Sequence, residues 1–305
     1  ITVAKLGEAE VMADAGLQEI LLAYPVVGDQ KVRRLASLAE RISLTVSVDS
    51  VSTAREIARA AKERGVRIGT LVEFDTGFGR CGLPIAQEAM SVVSEIVALP
   101  CLDFQGVLVY PGHFLVGPEE RERLLETENE RLRLLVELLQ AEGLQCQVVS
   151  GGSTPTAYMA HRFVGINEIR AGTYIFNDGN EVGCGAATYE ECAVSVLTTV
   201  VSTSVAGRAV VDGGSKTLSS DGLLTGNRTG YGYVREDAQM VLETLSEEHG
   251  QLDVSRATRR VAVGDRLRIV PNHVCPCVNL HESVYGVEGE TVVVEWRVDA
   301  RGRVR

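Results

Sequence analysis

Over residues 1 to about 170, short apolar runs rich in β-branched residues alternate with longer amphipathic segments, and this rhythm restricts the chain to folds built on a parallel sheet. Strand-like runs fall near 1–4, 19–23, 43–48, 67–74, 104–109, 145–149 and 167–170, with helical patterns such as 30–41, 53–64, 85–99 and 119–142 between them. Strands that are continuously apolar need cover on both faces, which helical crossovers supply. Seven strands are counted, whereas a (β/α)8 barrel has eight, and an open parallel edge leaves backbone groups unpaired. The expected fold is therefore α/β, a TIM-type barrel whose first strand is absent from this chain. The start at Ile1-Thr2-Val3-Ala4, which reads as a strand already under way, agrees with that expectation.

After about residue 190 the intervening helices stop. Strand patterns at 192–204, 208–212, 239–244, 266–270, 283–287 and 291–298 are broken by turns such as Asp212-Gly213-Gly214, Asp221-Gly222 and Val263-Gly264-Asp265. The chain is thus read as a barrel over 1–189 followed by an antiparallel β domain over 190–305. The charged segment 119–142 reads as a solvated helix with i, i+4 ion pairs.

At 305 residues and 45% hydrophobic composition there is ample material for these cores. A net charge of -11 argues against sequence-independent binding to nucleic acid or to an anionic membrane, both of which require a basic face, and leaves small solutes as partners. The seven cysteines form no C-x-x-C pair; scattered through a long chain, they read as reduced thiols and a cytoplasmic location. No apolar run of about 18 residues and no charged-then-apolar leader is visible.

Four stretches carry chemistry. Pro271-Asn272-His273-Val274-Cys275-Pro276-Cys277 reads as the end of a strand, on which His273 and Cys275 at i, i+2 point the same way, roughly 6 to 7 Å apart. Two such donors suit one borderline-soft cation and leave positions open for chemistry. Cys277 is not counted as a ligand because Pro276 interrupts the strand. Val72 to Gly82 contains G-x-G-x-x-G, but in the fourth strand of a barrel series and with an arginine in the loop, so a nicotinamide site is discounted; the glycines instead turn the chain tightly and present Asp75 or Arg80 at the barrel mouth. In Ser150-Gly151-Gly152-Ser153-Thr154-Pro155-Thr156, Ser153 or Thr154 can cap a helix whose N-terminus would seat a phosphate. Arg170-Ala171-Gly172-Thr173 closes the next strand end with a second glycine turn.

Taken together, VEFDTGFGRCG, GGSTPT, IRAGTYIFNDG, DGGSKTLSSDG, SEEHG and PNHVCPCVN resemble, in order and over the full length, the pyridoxal-phosphate enzymes of the D-threonine aldolase and D-serine dehydratase group, relatives of alanine racemase. The resemblance implies a barrel holding pyridoxal phosphate and a β domain holding a divalent metal, zinc or manganese. Arg80 would meet the cofactor's phenolic oxygen, Ser153, Thr154, Gly172 and Thr173 its phosphate, and Arg170 its pyridine nitrogen, while His273 and Cys275 would hold the metal. The implied reaction is lysis of a β-hydroxy D-amino acid, either to glycine and an aldehyde or, for D-serine, to pyruvate and ammonia. The resemblance also implies a homodimer.

One departure stands out. The family's Schiff-base lysine belongs to a P-H-x-K-T-H-K-like stretch upstream of the segment matching 1–14, and none of the four lysines here, Lys5, Lys31, Lys62 and Lys216, matches it. No catalytic residue is therefore assigned, and a truncated or degenerate non-catalytic relative stands as an alternative. A racemase, with Tyr231 or Tyr233 as base, is a further one that predicts no metal. His113, which could line the mouth, and Asp212 are read chiefly as loop and turn residues, while His249, in the SEEHG stretch, is read equally as a family-motif residue or a turn residue.

Overall fold

The computed structural model describes residues 1–226 and 228–305 and divides into two compact units, residues 1–114, 122–171 and 302–305, and residues 115–121 and 172–301. In the first unit the strands are β1 (Thr2–Val3), β2 (Glu19–Leu22), β3 (Ser43–Val48), β4 (Ile68–Asp75), β5 (Leu83–Pro84), β6 (Leu102–Val109), β7 (Val148–Gly151) and β8 (Glu168–Ile169). They pair in parallel in the order β1-β2-β3-β4-β6-β7-β8, with the short β5 beside the end of β4. The seven parallel strands expected of a TIM-type barrel without its first strand are present, and β1 and β8 are the two ends of the series among the described residues.

Helices α1 (Leu6–Asp14), α2 (Asp29–Leu38), α3 (Val51–Arg64), α4 (Ala89–Val97) and α5 (Pro118–Ala141) fill the connections. Helix α3 shows why: Ser50 caps it by accepting the Thr53 N–H, Gly65 ends it at φ 68°, and Thr53, Ala54, Ile57, Ala58 and Ala61 form one buried stripe. On the strands, Leu22, Val46, Val48, Val72, Phe74, Val107 and Val109 pack outward against the helices. The opposite parity carries a small inner layer of Leu21, Leu71 and Leu108. Interspersed on that same parity, near the strands' C-terminal ends, are the polar Ser47, which pairs with Leu71, Glu73 and Ser150, which pair with Leu108, and Glu168. The period of two thus delivers a ring of polar side chains to the end where barrel enzymes do chemistry. Gly69 is small by necessity, since a Cβ there would meet Gln105 Nε2 at 2.5 Å and Thr45 Oγ1 at 2.6 Å.

The second unit is a closed antiparallel barrel of β9 (Val196–Ser202), β10 (Arg208–Val211), β11 (Gly232–Val234), β12 (Val241–Leu245), β13 (Gly250–Asp253) and β14 (Arg266–Pro271), with a separate hairpin of β15 (Ser283–Glu288) and β16 (Thr291–Arg297). Closure removes the edges that six short strands would otherwise expose. Its core is Val200, Val211, Met240, Leu242, Leu252, Leu267 and Ile269. Short helices α6 (Gly179–Gly183), α7 (Ser215–Leu218) and α8 (Val274–Leu280) hang on the barrel. Strands β11 and β13 escape the sequence reading because three or four residues beginning with glycine give no usable period; pairing partners alone make them strands.

One local expectation is corrected. The chain does not stay extended through His273 and Cys275: His273, at φ -135° and ψ 109°, is the N-cap of α8, and Cys275 and Pro276 lie in its first turn, where a proline needs no N–H partner. No helix among the described residues is long and apolar enough to cross a membrane.

Candidate active site

At the mouth of the first unit, β4 ends in Asp75, whose carboxylate accepts the N–H groups of Gly77 (2.9 Å) and Gly79 (3.0 Å). Asp49 accepts the Gly82 N–H at 3.1 Å, so both ends of the glycine loop are tied to carboxylates. The loop presents Arg80 over the Tyr110 ring, 4.3 Å from its centroid, and Phe78 meets Tyr110 edge-on at 5.5 Å.

Beneath it Glu73 is buried and takes a 3.3 Å hydrogen bond from Ser47 Oγ. Burial raises its carboxyl above the usual range, with Arg80 and Arg170 opposing. Arg170 donates to Ser150 Oγ (2.6 Å) and to the Val109 carbonyl oxygen (2.7 Å), and Ser150 in turn donates to Glu168. Burial draws the Arg170 guanidinium down to about 10, against the pull of Glu168, Glu73 and Tyr110. Glu73 and Glu168 were not singled out from sequence; the signal for Glu73 was a lone carboxylate within the apolar run of β4.

After β7, Gly152 takes φ 85° and Ser153 caps a segment, Thr154–Arg162, that winds as 3-10 helix rather than α-helix. The Ser153 N–H is engaged by Thr156 Oγ1 at 2.9 Å, and Thr154 beside it is buried.

In the second unit, Gly172 has open space where a Cβ would stand, and Thr173 Oγ1 lies 4.0 Å from Cys275 Sγ. Asp178, buried, caps α6 by accepting the Asn180 and Glu181 N–H groups at 3.0 Å and also takes the Val274 N–H at 2.9 Å. One carboxylate therefore fastens the turn that bears His273 and Cys275. His273 Nδ1 is 2.6 Å from Asp221 Oδ2. Hydrogen bonding to Cys275, then to Asp221, lifts the imidazole to about 9 although burial opposes it. Asp221 thus stands behind the His273 ring and the exposed Cys275 thiol follows two positions on, an arrangement that a ligand histidine with a carboxylate behind it also has.

His273 and Cys275 are a donor pair of the kind a zinc-type cation takes with positions left open; no group of three or more His, Cys, Asp or Glu side chains placed to hold a metal ion occurs among the described residues. Cys277, not counted as a ligand from the sequence, is buried, donates to the Thr217 carbonyl at 3.2 Å and is pushed up to about 12 by burial. Asp178 and Asp221 also escaped the sequence reading, Asp221 because Asp-Gly reads simply as a turn.

The remaining candidates have structural partners. Lys5 Nζ sits 3.4 Å over the Tyr24 ring, Lys216 pairs with Glu247 and Glu248, and Lys31 and Lys62 lie on α2 and α3. His249 gives its carbonyl to the Ser246 N–H in a turn, Asp212 accepts the Thr199 N–H at 2.7 Å, and Tyr233 stacks on Tyr189 at 3.7 Å. His113 is half-buried beside Glu128.

Residues 1–179 match the family described as Alanine racemase, N-terminal domain, and residues 193–287 match the Putative serine dehydratase domain. The chain is 32% identical to the 3-hydroxy-D-aspartate aldolase of Paracoccus denitrificans over 98% of its own length and 78% of that protein's. Among solved structures it resembles D-threonine aldolase from Filomicrobium marinum, at 30% identity and a TM-score of 0.91, covering 100% of this chain and 82% of that one. It also resembles D-threo-3-hydroxyaspartate dehydratase from Delftia sp., at 32% identity and a TM-score of 0.87, covering 97% and 83%. Two further structures of that dehydratase carry a His-to-Ala and a Cys-to-Ala substitution two positions apart, the latter in a metal-free form. The chain belongs to the D-threonine aldolase and D-serine dehydratase family of alanine racemase-like enzymes.

Proposed function

We propose that the chain works with pyridoxal phosphate and a divalent cation, zinc or manganese, as a lyase of β-hydroxy D-amino acids, cleaving the Cα–Cβ bond to glycine and an aldehyde. The observation that carries this reading is Arg170, a half-buried guanidinium anchored by Ser150 and the Val109 carbonyl at the C-terminal end of the barrel strands, in a chain whose relatives are aldolases and dehydratases of such substrates. Arg170 would face the pyridine nitrogen, Arg80 the phenolic oxygen, and Ser153, Thr154, Gly172 and Thr173 the phosphate. When bound, pyridoxal phosphate supplies an electron sink for charge developing at Cα, and the cation a Lewis acid for the β-hydroxyl.

The chain's own residues supply orientation and fixed charge. Two short hydrogen bonds hold Arg170 in one position, so its charge needs no reorganisation during reaction. Tyr110 and Phe78 restrict Arg80, and Glu73 places a carboxyl beneath both guanidiniums. Asp221 orients His273, and Asp178 holds the turn on which His273 and Cys275 stand ready as cation donors.

A second reading, dehydration to a keto acid and ammonia, is favoured by one observation: the His-x-Cys spacing of 273 and 275 equals that of the two positions substituted in the Delftia dehydratase. The test is to give the purified chain, and the product of its full natural locus, pyridoxal phosphate with zinc or manganese, then D-threonine or D-serine. Aldehyde and pyruvate are read separately, with the L-isomers as controls. Aldehyde from D-threonine supports the aldolase; pyruvate without aldehyde selects the dehydratase. No product from either form with any cation would leave the non-catalytic relative as the reading.

A further inference from the structure

The glycine loop that carries Arg80 is held from its outer side by helix α5, through groups that the reaction does not use. Arg131 donates to the Thr76 carbonyl oxygen, and its guanidinium packs so closely on Gly77, at φ 120°, that no side chain fits there. One turn earlier on the same helix, the Glu128 side chain is fully buried, and neither carboxyl oxygen has a hydrogen-bond partner. Thr76 Oγ1 is buried and equally unpartnered as it faces that carboxyl. His113 Nε2 stands 3.7 Å from Glu128 Oε2, and its Nδ1 is also buried without a partner. Four orphaned polar atoms, from the loop, from the segment after β6 and from α5, converge behind the loop. Native interiors seldom leave so many together, and each needs a reason.

We propose that Glu128 is a positioning residue for the Arg80 loop, holding it while protonated and loosening it when its proton is released to solvent. The charged and titratable groups facing Glu128 are Asp75 at the end of β4, His113, and Arg131 on its own helix. While neutral, the carboxyl can donate its O–H to Thr76 Oγ1 or to the imidazole, and Arg131 stays on the Thr76 carbonyl. Once ionised, it repels Asp75, whose carboxylate organises Gly77 and Gly79, and it competes with the Thr76 carbonyl for Arg131. Both effects act on the backbone that aims Arg80. Burial sets the switch in a useful range: it raises Glu128 to about 7 and lowers His113, so near neutral pH a single proton decides the charge of the cluster.

The effect on cofactor affinity rests on the assignment of Arg80 under Proposed function; the loop switch itself does not. Amide hydrogen exchange of residues 76–82 is measured in the cofactor-free protein between pH 6 and 8.5, corrected for intrinsic exchange, for the wild type, Glu128→Gln and Arg131→Met. Pyridoxal phosphate affinity is titrated by absorbance over the same range. The wild-type loop should lose protection several-fold above pH 7, Glu128→Gln should stay protected throughout, and Arg131→Met should be loose at every pH. Cofactor affinity should follow the loop in the wild type and be flat with pH in Glu128→Gln. A wild-type loop whose protection ignores pH overturns the proposal, with no need for any variant to fold. So does a Glu128→Gln profile identical to the wild type. If exchange behaves as expected and pyridoxal phosphate binds at no pH, the switch stands and the cofactor assignment falls.

Discussion

Each unit buries a carboxylate behind a turn of its candidate site; burial raises both, and they differ in the donors they receive. In the second unit Asp178 receives three backbone N–H groups, from Asn180, Glu181 and Val274. In the first unit Glu128 receives none that meets hydrogen-bond geometry. A buried charge is tolerated where donors compensate its lost hydration, and otherwise the group keeps its proton. Asp178 is therefore a staple for the His273–Cys275 turn, whereas Glu128 is a proton held against the Arg80 loop. A buried acid is structural or adjustable according to the number of donors around it.

That contrast is broken most severely at Asp178. Asp178→Ala leaves backbone donors at α6 and at Val274 without their acceptor, and should destabilise the second unit by about 3 kcal/mol, read as a lower denaturation midpoint. Asn at this position should recover part of the loss, since its amide oxygen can still accept from one or two of these N–H groups.

Glu128→Gln sharpens the comparison from the other side. A carboxyl whose folded value of about 7 lies above its ordinary 4.5 binds more protons in the folded than in the unfolded state between those limits. Its contribution to stability is therefore present at low pH and lost as pH rises toward 7, by at most about 3 kcal/mol at 1.36 kcal/mol per pKa unit. The substitution should remove that decline. His113, depressed below 6.5, works in the reverse sense, adding stability as pH rises toward 6.5. Chemical denaturation across pH 5 to 8 would show both slopes.

Cys275→Ala should leave stability nearly unchanged, because the thiol is exposed, yet lower bound zinc or manganese measured by equilibrium dialysis. Cys277→Ala, at a buried thiol, should do the reverse. The smallest effect is expected at Lys216: its pairs with Glu247 and Glu248 are solvent-exposed, and Lys216→Ala should shift the melting temperature within error.

The β/α alternation was legible from residue 1 to 170 because each apolar run carries its own period, and the count of seven parallel strands follows from it. The antiparallel barrel was legible only as a region: β11 and β13 are too short to announce themselves and exist through their neighbours' hydrogen bonds. At the site, the glycine turns and the R-A-G and H-V-C stretches were visible as motifs, since tight turns and paired donors need particular residue types at fixed spacing. Their supports were not. Glu73 and Arg170 are 97 positions apart in the chain, and nothing local tells Asp221 that its partner is His273.

The sequence by itself determined the order of elements, the parallel class of the first sheet and the residue types offered for chemistry, all of which are set by local period and side-chain identity. Only the tertiary structure decided that His273 caps a helix rather than ending in a strand, that Asp178 is satisfied, and that Glu128 is not. Those outcomes depend on which donors arrive from distant segments, and the protonation of a buried group follows from its surroundings rather than from its own neighbours in the chain.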